Sequence, residues 1–307
     1  MTTTGELSRD TTGYGSQLQN IGSVQNRGVE LSLSTLNIQR DRLTWRTTLN
    51  LAANRNKVLD LGVTRELFLS PRTGNFFSPG DIYILRVGQP VSSIYGYRVT
   101  GLWQPGDACY LRNPASNCVP GEYKIVDTNG DSSITAADRQ ILGHGDPAFY
   151  GGLASTLIYG PFSLDALVNF TQGNKIINAG KAYGELLLLQ NNERKTALDR
   201  WTPTHTDTDI PRANQGRPRR LYSTLVEDGS YVRLQTLTLG YQLPASLIPR
   251  ATSAHVYVTA QNLWIATRYS GFDPDVNSMG GDPRFGGIDI GAYPRSRVWN
   301  FGLSATF

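Results

Sequence analysis

The sequence predicts an all-β protein that forms a segment of a transmembrane antiparallel β-barrel, with about nine strands and long extracellular loops. Three observations predict this fold. Apolar residues recur at period 2 rather than at period 3.6. Several alternating segments approach the ~10 residues that a tilted strand needs to cross a bilayer, whereas strands of soluble proteins average about 5–6 residues. Short and long connections between these segments alternate along the chain.

The candidate strands are the segments in which apolar and polar residues alternate. Six alternate clearly, at residues 26–35, 43–54, 162–172, 234–243, 255–262 and 298–307. Three are weaker, at residues 82–87, 92–103 and 151–160. In the second strand, Trp45 and Leu49 share one face while Arg46 and Asn50 share the other. A barrel wall has this pattern because one face meets lipid and the other meets the lumen. A soluble β-sandwich would alternate in the same way, so alternation alone does not separate the two.

Short and long connections alternate between these strands. Four are short, at residues 38–42, 88–91, 159–162 and 243–253, and the alternate ones are long, at residues 57–80, 104–148, 174–229 and 266–294. Short turns at one rim and long loops at the other are typical of outer-membrane barrels. Aromatic residues near the strand ends predict an interfacial girdle, with ordinary core packing as the alternative. They are Trp45, Tyr97, Trp103, Tyr159, Phe162, Tyr241, Trp264, Trp299 and Phe307.

Composition agrees with a β-rich chain and excludes several classes of protein. The 307 residues include 32 Gly and 15 Tyr, and 39% of them are hydrophobic. The net charge of +4 is small and no basic run stands out, so no nucleic-acid partner is expected. No apolar stretch reaches the ~20 residues of a membrane-spanning helix. The first 22 residues lack the apolar core of a signal peptide.

Two cysteines and one acidic segment are the candidate structural sites. Cys109 and Cys118 are expected to form a short-loop disulfide in an exported protein, and two free thiols are the alternative. The segment "DTNGDSSITAAD" places oxygen-bearing residues at positions 1, 3, 5, 7 and 12 of an EF-hand-like loop, which predicts a Ca²⁺ site. These residues are Asp127, Asn129, Asp131, Ser133 and Asp138. The alternative is a turn in which Thr135 and Asp138 cap the following segment.

No enzyme is expected from the sequence. His144, His205 and His255 are scattered, and the usual hydrolase, metalloprotease and phosphate-binding motifs are missing from it. Side chains in the last long loop could contact a ligand, with packing among the loops as the alternative. These are Tyr269, Phe272, Phe285 and Tyr293, together with Asp273, Asp275 and Asp289.

Several segments resemble one family, the SusC/RagA-like TonB-dependent outer-membrane receptors. "NIGSVQNRGVELSL" resembles the N-x-G-x-x-x-N-x-G-x-E strand of that family, and "SIYGYRVTGLWQ" resembles its YGY…GIWQ segment. "VDTNGDSSITAADRQILGHGDPAFYGGL" is similar to its D-x-N-x-D…D-R…P…G-G block, and "GIDIGAYPRSRVWNFGLSATF" is similar to its closing segment. The resemblance covers nearly the whole chain.

The resemblance implies a place for this chain within a longer receptor. Residues 1–307 would be the C-terminal part of a barrel of about 22 strands, with the plug domain and the earlier strands outside this sequence. The receptor would import oligosaccharides or peptides across the cell outer membrane. Its partners would be outer-membrane lipid, a SusD-like surface lipoprotein, the TonB complex acting through the plug region, and the barrel-assembly machinery. That machinery would recognise Phe307, which resembles the terminal aromatic residue of such barrels.

Two other interpretations remain open from the residues alone. One is a secreted, soluble β-rich binding module with a calcium-supported loop. The other is a remnant of a longer gene. A barrel segment should need detergent or lipid to fold, whereas a binding module should be soluble without either.

Overall fold

β-Strands make up most of the regular structure. The computed structural model describes residues 2–6, 16–20, 22–73, 76–186, 192–247 and 251–307, and for 2–6 and 16–20 it describes the backbone alone. In chain order the strands are β1 (Thr2–Glu6), β2 (Ser16–Asn20), β3 (Ser23–Arg40), β4 (Leu43–Asp60), β5 (Glu66–Leu69), β6 (Tyr83–Arg86), β7 (Ser93–Tyr97), β8 (Val99–Leu102), β9 (Tyr123–Ile125), β10 (Arg139–His144), β11 (Phe149–Tyr159), β12 (Phe162–Gln172), β13 (Lys175–Asn178), β14 (Val226–Asp228), β15 (Tyr231–Leu243), β16 (Ser253–Thr267), β17 (Ile288–Asp289) and β18 (Val298–Thr306).

The helices are few and short. Among the described residues, the α-helices are α1 (Pro114–Asn117) and α2 (Ala179–Glu185). Short 3₁₀ helices occupy Ala136–Asp138, Lys195–Asp199, Ser223–Leu225, Ala245–Leu247 and Pro283–Phe285. Among the residues described, no helix has the length and apolar character required to span a membrane.

Seven long strands form one antiparallel sheet, the main sheet, in the order β18-β16-β15-β12-β11-β4-β3. They contain 9 to 18 residues each, well above the mean strand length of about 5–6. β11 and β12 pair without a bulge from Phe149↔Gln172 to Tyr159↔Phe162. Within the described residues, β3 and β18 each pair on one side only, so they are the two edges of the main sheet.

The connections at the two ends of the main sheet are unequal, as the sequence predicts. At one end, β3–β4 and β11–β12 are joined by residues 41–42 and 160–161, and β15–β16 by residues 244–252, part of which lies outside the described residues. The connections at the other end comprise residues 61–148, 173–230 and 268–297. The predicted separation of short turns from long loops is confirmed for the connections of the main sheet. The short turn predicted at residues 88–91 lies instead between β6 and β7, within the first long connection.

Two of the predicted barrel strands lie outside the main sheet. β6 and β7, from residues 82–87 and 92–103, belong to a four-stranded sheet in the order β10-β7-β6-β5. β4 pairs directly with β11 instead, so the main sheet has seven strands in the described residues and the predicted count of about nine is wrong. The physical reason is burial on both faces. All five residues of β7 are buried, whereas a barrel wall strand presents one face to lipid and one to the lumen.

The three long connections fold together into one unit, the cap, which comprises residues 61–73, 76–148, 173–186, 192–230 and 268–297. Its hydrophobic core includes Tyr83 from the first connection, Ile177 and Leu225 from the second, and Ile288 from the third, each at most 1% exposed. The parallel pair β13–β17 joins the last two connections at Ile177↔Ile288. The loops predicted between barrel strands are therefore a packed unit with a core of its own.

Candidate functional site

One face of the main sheet, the apolar face, carries mainly apolar side chains. Residues opposite each other in an antiparallel pair lie on the same face, so the strand register gives the rows. One row crosses six strands, at Trp45, Leu157, Leu164, Leu239, Val258 and Phe301. The next row towards the short turns is Leu43, Tyr159, Phe162, Tyr241, Val256 and Leu303. The alternation predicted for these strands is confirmed.

The apolar face has no protein layer over it in the described part of the chain. Trp299, Phe301 and Leu303 are 57%, 81% and 64% exposed. In contrast, the buried apolar side chains lie almost entirely in the cap. Contiguous apolar patches of this extent are rare on soluble monomers and mark surfaces that contact a membrane or another protein.

The opposite face of the main sheet, the polar face, carries mainly polar side chains. A row in register with the apolar ones contains Arg46, Thr156, Asp165, Thr238, Thr259 and Asn300. The Thr156 hydroxyl donates to the Asp165 carboxylate at 2.6 Å, and the hydroxyls of Thr238 and Thr259 lie 2.9 Å apart. A sheet with one apolar face and one polar face is typical of a barrel wall.

Aromatic residues gather where the apolar face meets the short turns. Tyr159, Phe162 and Tyr241 are neighbours in register, and the ring centroids of Phe162 and Tyr241 lie 4.8 Å apart. This arrangement agrees with the predicted girdle. For Tyr97 and Trp103 that prediction is wrong, because both side chains are buried in the cap, at 3% and 1% exposed, and act as core aromatics.

Phe307 lies at the same end of the main sheet as the short turns. Thr306 pairs with Ser253 at the start of β16, and the Thr306 carbonyl accepts a hydrogen bond from the Thr252 amide at 2.7 Å. The Phe307 side chain is 78% exposed. Its recognition by assembly machinery stays a prediction.

The acidic segment folds as a capped turn. The Asp138 carboxylate is fully buried and accepts hydrogen bonds from the Thr128 and Thr135 amides at 2.8 and 2.7 Å. Thr135 and Asp138 form the capping box that was the alternative to a metal site. Asp127 accepts bonds from the Gly130 and Ser132 amides.

The hydrogen bonds within the segment leave the predicted Ca²⁺ site open. The Asn129 and Asp131 side chains accept bonds from the backbone amides of Asp131 and Ser133. A carboxylate oxygen that accepts one such bond keeps a second lone pair. No group of three His, Cys, Asp or Glu side chains within the described ranges is placed to hold a metal ion. Ca²⁺ binding here stays a prediction.

Cys109 and Cys118 are joined as a disulfide in the cap, with Cα atoms 5.8 Å apart. This separation lies within the usual range for a disulfide. The bond closes a loop that contains α1, and it holds one wall of a cavity in the cap.

Most of the candidate ligand contacts in the last loop are structural. Tyr269 is buried and donates to the Asp289 carboxylate at 2.6 Å; burial, together with this bond, raises the pKa of Tyr269. Asp273 is buried against Arg233, and the Phe285 ring packs edge-on against Tyr83. Asp275 pairs at the surface with Arg295, 2.6 Å away. Of this set, Phe272 and Tyr293 are highly exposed, at 78% and 90%.

The sequence reasoning missed a cluster of arginines in the cap. The segment "PRANQGRPRR" has four arginines within nine residues, and this local density was the available signal. Arg217 is buried and donates to both carboxylate oxygens of Glu122, at 2.9 and 3.1 Å. Arg212 and Arg220 line the same cavity.

Comparisons with known proteins agree with the geometry. No family model matches the chain. TonB-dependent receptor P3 of Formosa agariphila is 35% identical over 306 residues, which cover 96% of this chain and 30% of that receptor. TonB-dependent receptor SusC of Bacteroides thetaiotaomicron is 26% identical over 306 residues, which cover 96% of this chain and 28% of SusC.

The fold agrees with a solved transporter. The RagAB peptide transporter structure matches with a TM-score of 0.75 and 27% identity, over 98% of this chain and 31% of the matched chain. The chain thus spans about 30% of the length of the relatives it matches. Over nearly its whole length, the chain is similar to one part of TonB-dependent receptors, among them SusC and the RagAB transporter.

Proposed function

We propose that this chain supplies the C-terminal wall strands and extracellular loops of an outer-membrane nutrient importer driven by TonB. The main sheet would form part of the barrel wall, with the apolar face in lipid and the polar face towards the lumen. The cap would be the extracellular unit, and the short turns would lie on the periplasmic side. The chain would make and break no covalent bonds, in agreement with relatives that are named receptors and transporters.

The observation that carries this proposal is the exposed apolar face, which runs in register from β4 to β18. A soluble binding module, the alternative from the sequence, would need a second layer over that face, and the described residues provide none. The edges β3 and β18 also favour a longer protein, because unpaired strand edges are not tolerated inside a bilayer. Further strands of the same receptor would pair with them.

The proposed partners follow from the family. A SusD-like surface lipoprotein would cover the cap, the TonB complex would act through a plug outside this sequence, and the barrel-assembly machinery would recognise Phe307. The solute would be an oligosaccharide or a peptide. The similar RagAB structure is that of a peptide transporter, which supports a peptide. An oligosaccharide is the other class that the sequence resemblance implies.

Tryptophan quenching by brominated lipid tests the lipid contact directly. The chain has five tryptophans, of which Trp299 lies on the apolar face while Trp103 is buried in the cap. In variants of the full-length receptor that keep one tryptophan and carry Phe at the other tryptophan positions, reconstituted into vesicles, brominated acyl chains should quench Trp299 strongly. Trp103 should be unaffected and is the matched control. Equal quenching of the two, or no quenching of Trp299, would reject the membrane-facing assignment.

A further inference from the structure

A cavity of about 460 Å³ lies in the cap between the disulfide loop and the arginine-rich segment. Leu111 and Asn117 line it from within the disulfide loop, and Arg212, Arg217 and Arg220 line it from the other side. This volume lies in the range of ordinary small-ligand sites, about 300–1,000 Å³.

The charges around this cavity do not balance. Its lining contains three arginines and one carboxylate, that of Glu122. Arg217 donates two bonds to Glu122, whose Oε1 atom also accepts a bond from the Asn214 amide group, and two further Arg217 donors bond the carbonyls of Leu186 and Arg212. Arg217 is therefore a structural residue, and the Glu122 carboxylate neutralises its charge.

Arg212 and Arg220 carry the surplus positive charge. The Arg212 Nε atom lies 3.9 Å from Glu122 Oε1, a long separation, and its side chain is 44% exposed. Arg220 stacks its guanidinium over the Tyr97 ring at 4.8 Å and takes part in no ion pair within the described part of the chain. Stacking uses the face of a guanidinium and leaves the N–H groups at its edge free to bind an anion.

We propose that this cavity binds a carboxylate group of an anionic solute, with Arg220 and Arg212 as the binding residues. A guanidinium donates two parallel hydrogen bonds to a carboxylate, so the partly buried, pre-oriented Arg220 suits this anion. This inference rests on the proposed function in one respect only, that the solute is one the receptor imports. The carboxylate belongs either to a peptide C-terminus or to a uronic acid.

Two pairs of probes that differ only in charge test the proposal. One pair is acetyl-tetra-alanine as the free acid and as the C-terminal amide. The other is tetragalacturonate and its methyl ester. Binding is measured by calorimetry on the full-length receptor in detergent, at low salt and again in 0.5 M NaCl. The added salt screens charge more strongly than 0.1 M salt, at which the Debye length is ~10 Å. We expect one acid to bind about ten-fold more tightly than its neutral partner at low salt. The pair of probes that shows this difference identifies whether the carboxylate belongs to a peptide C-terminus or to a uronic acid.

The variants assign the preference to the cavity. Arg220→Gln should abolish the difference between acid and neutral probe, and Arg212→Gln, at a more exposed position, should reduce it. Arg40→Gln, in an exposed arginine at the far end of β3, is the matched control and should leave it unchanged. Equal binding of acid and neutral probes, or a preference that survives in both cavity variants, would overturn the proposal. The outcome is independent of tryptophan quenching by lipid, so either inference can fail alone.

Discussion

Arg233 on the polar face of the main sheet and Asp273 in the cap form a buried ion pair, with Nη2 and Oδ1 2.5 Å apart and side chains only 4% and 10% exposed. The two residues are 40 positions apart in sequence. The pair joins β15 to the loop after β16, and thereby connects the main sheet to the cap.

Removal of one partner of this pair should be costly. In Asp273→Ala the Arg233 charge would remain buried without compensation, so we expect a loss of about 3–5 kcal/mol in the free energy of unfolding. Denaturant titration of the full-length receptor measures this loss. Asp275→Ala is the matched control, because its pair with Arg295 is about half exposed and should contribute at most ~1 kcal/mol. Similar losses in the two variants would contradict the structural role of Arg233.

The two faces of the main sheet should respond oppositely to charge. Leu239, on the apolar face, is 51% exposed, and Thr238, its neighbour in β15, lies on the polar face. In lipid vesicles, Leu239→Arg should destabilise the fold by about 2–4 kcal/mol if the site lies near the bilayer midplane. Thr238→Arg should cost about 1 kcal/mol, the value of its lost hydrogen bond to Thr259. Urea titration of the full-length receptor in vesicles compares the two losses of stability. A larger loss for Thr238→Arg than for Leu239→Arg would place the face that carries Thr238 in lipid.

Asp138 should stabilise the cap through its hydrogen bonds. Asp138→Ala would leave the amides of Thr128 and Thr135 without acceptors in a buried site, at a cost of about 1–3 kcal/mol for each group. Asp131→Ala, in an exposed side chain of the same segment, should change stability by less than ~1 kcal/mol. Thermal unfolding followed by near-ultraviolet circular dichroism measures both. If the two variants were equally stable, the capping role would be refuted.

Calcium tests the metal site that the sequence predicts in this segment. If the loop binds Ca²⁺, millimolar CaCl₂ should raise the unfolding temperature and EDTA should reverse the rise, because a ligand that binds only the folded state stabilises it. Asp127→Asn should abolish the shift, and MgCl₂ serves as the control for ionic strength. If Ca²⁺ did not change the unfolding temperature, the metal site would be refuted and the segment would act as a capped turn alone.

The disulfide should contribute to the stability of the cap. Its cysteines are nine positions apart, and for a loop of this size the chain-entropy relation gives about 2–3 kcal/mol. The double variant Cys109→Ser/Cys118→Ser should lose that amount, and dithiothreitol should reproduce the loss in the unaltered chain while leaving the double variant unaffected. The carboxylate preference of the cavity should also weaken, since the disulfide loop forms one of its walls.

The main sheet of this protein was predictable because the sequence pattern that specifies its strands is local. Successive side chains of a strand point to opposite faces, so residues such as Trp45 and Leu49 could be assigned to one face from the sequence alone. The alternation of short and long connections then indicated which strand ends lie at the same end of the sheet. The structure confirms both inferences for β3, β4, β11, β12, β15, β16 and β18.

The cap needed the tertiary structure, because its contacts join residues far apart in the chain. β7 is buried on both faces, so its residues show no clear period and resembled a weak wall strand. The partner of Arg217 is Glu122, 95 positions away, and no spacing rule relates them. Local alternation specifies which side of a strand is apolar, but only the folded chain decides whether lipid, lumen or another loop lies against it.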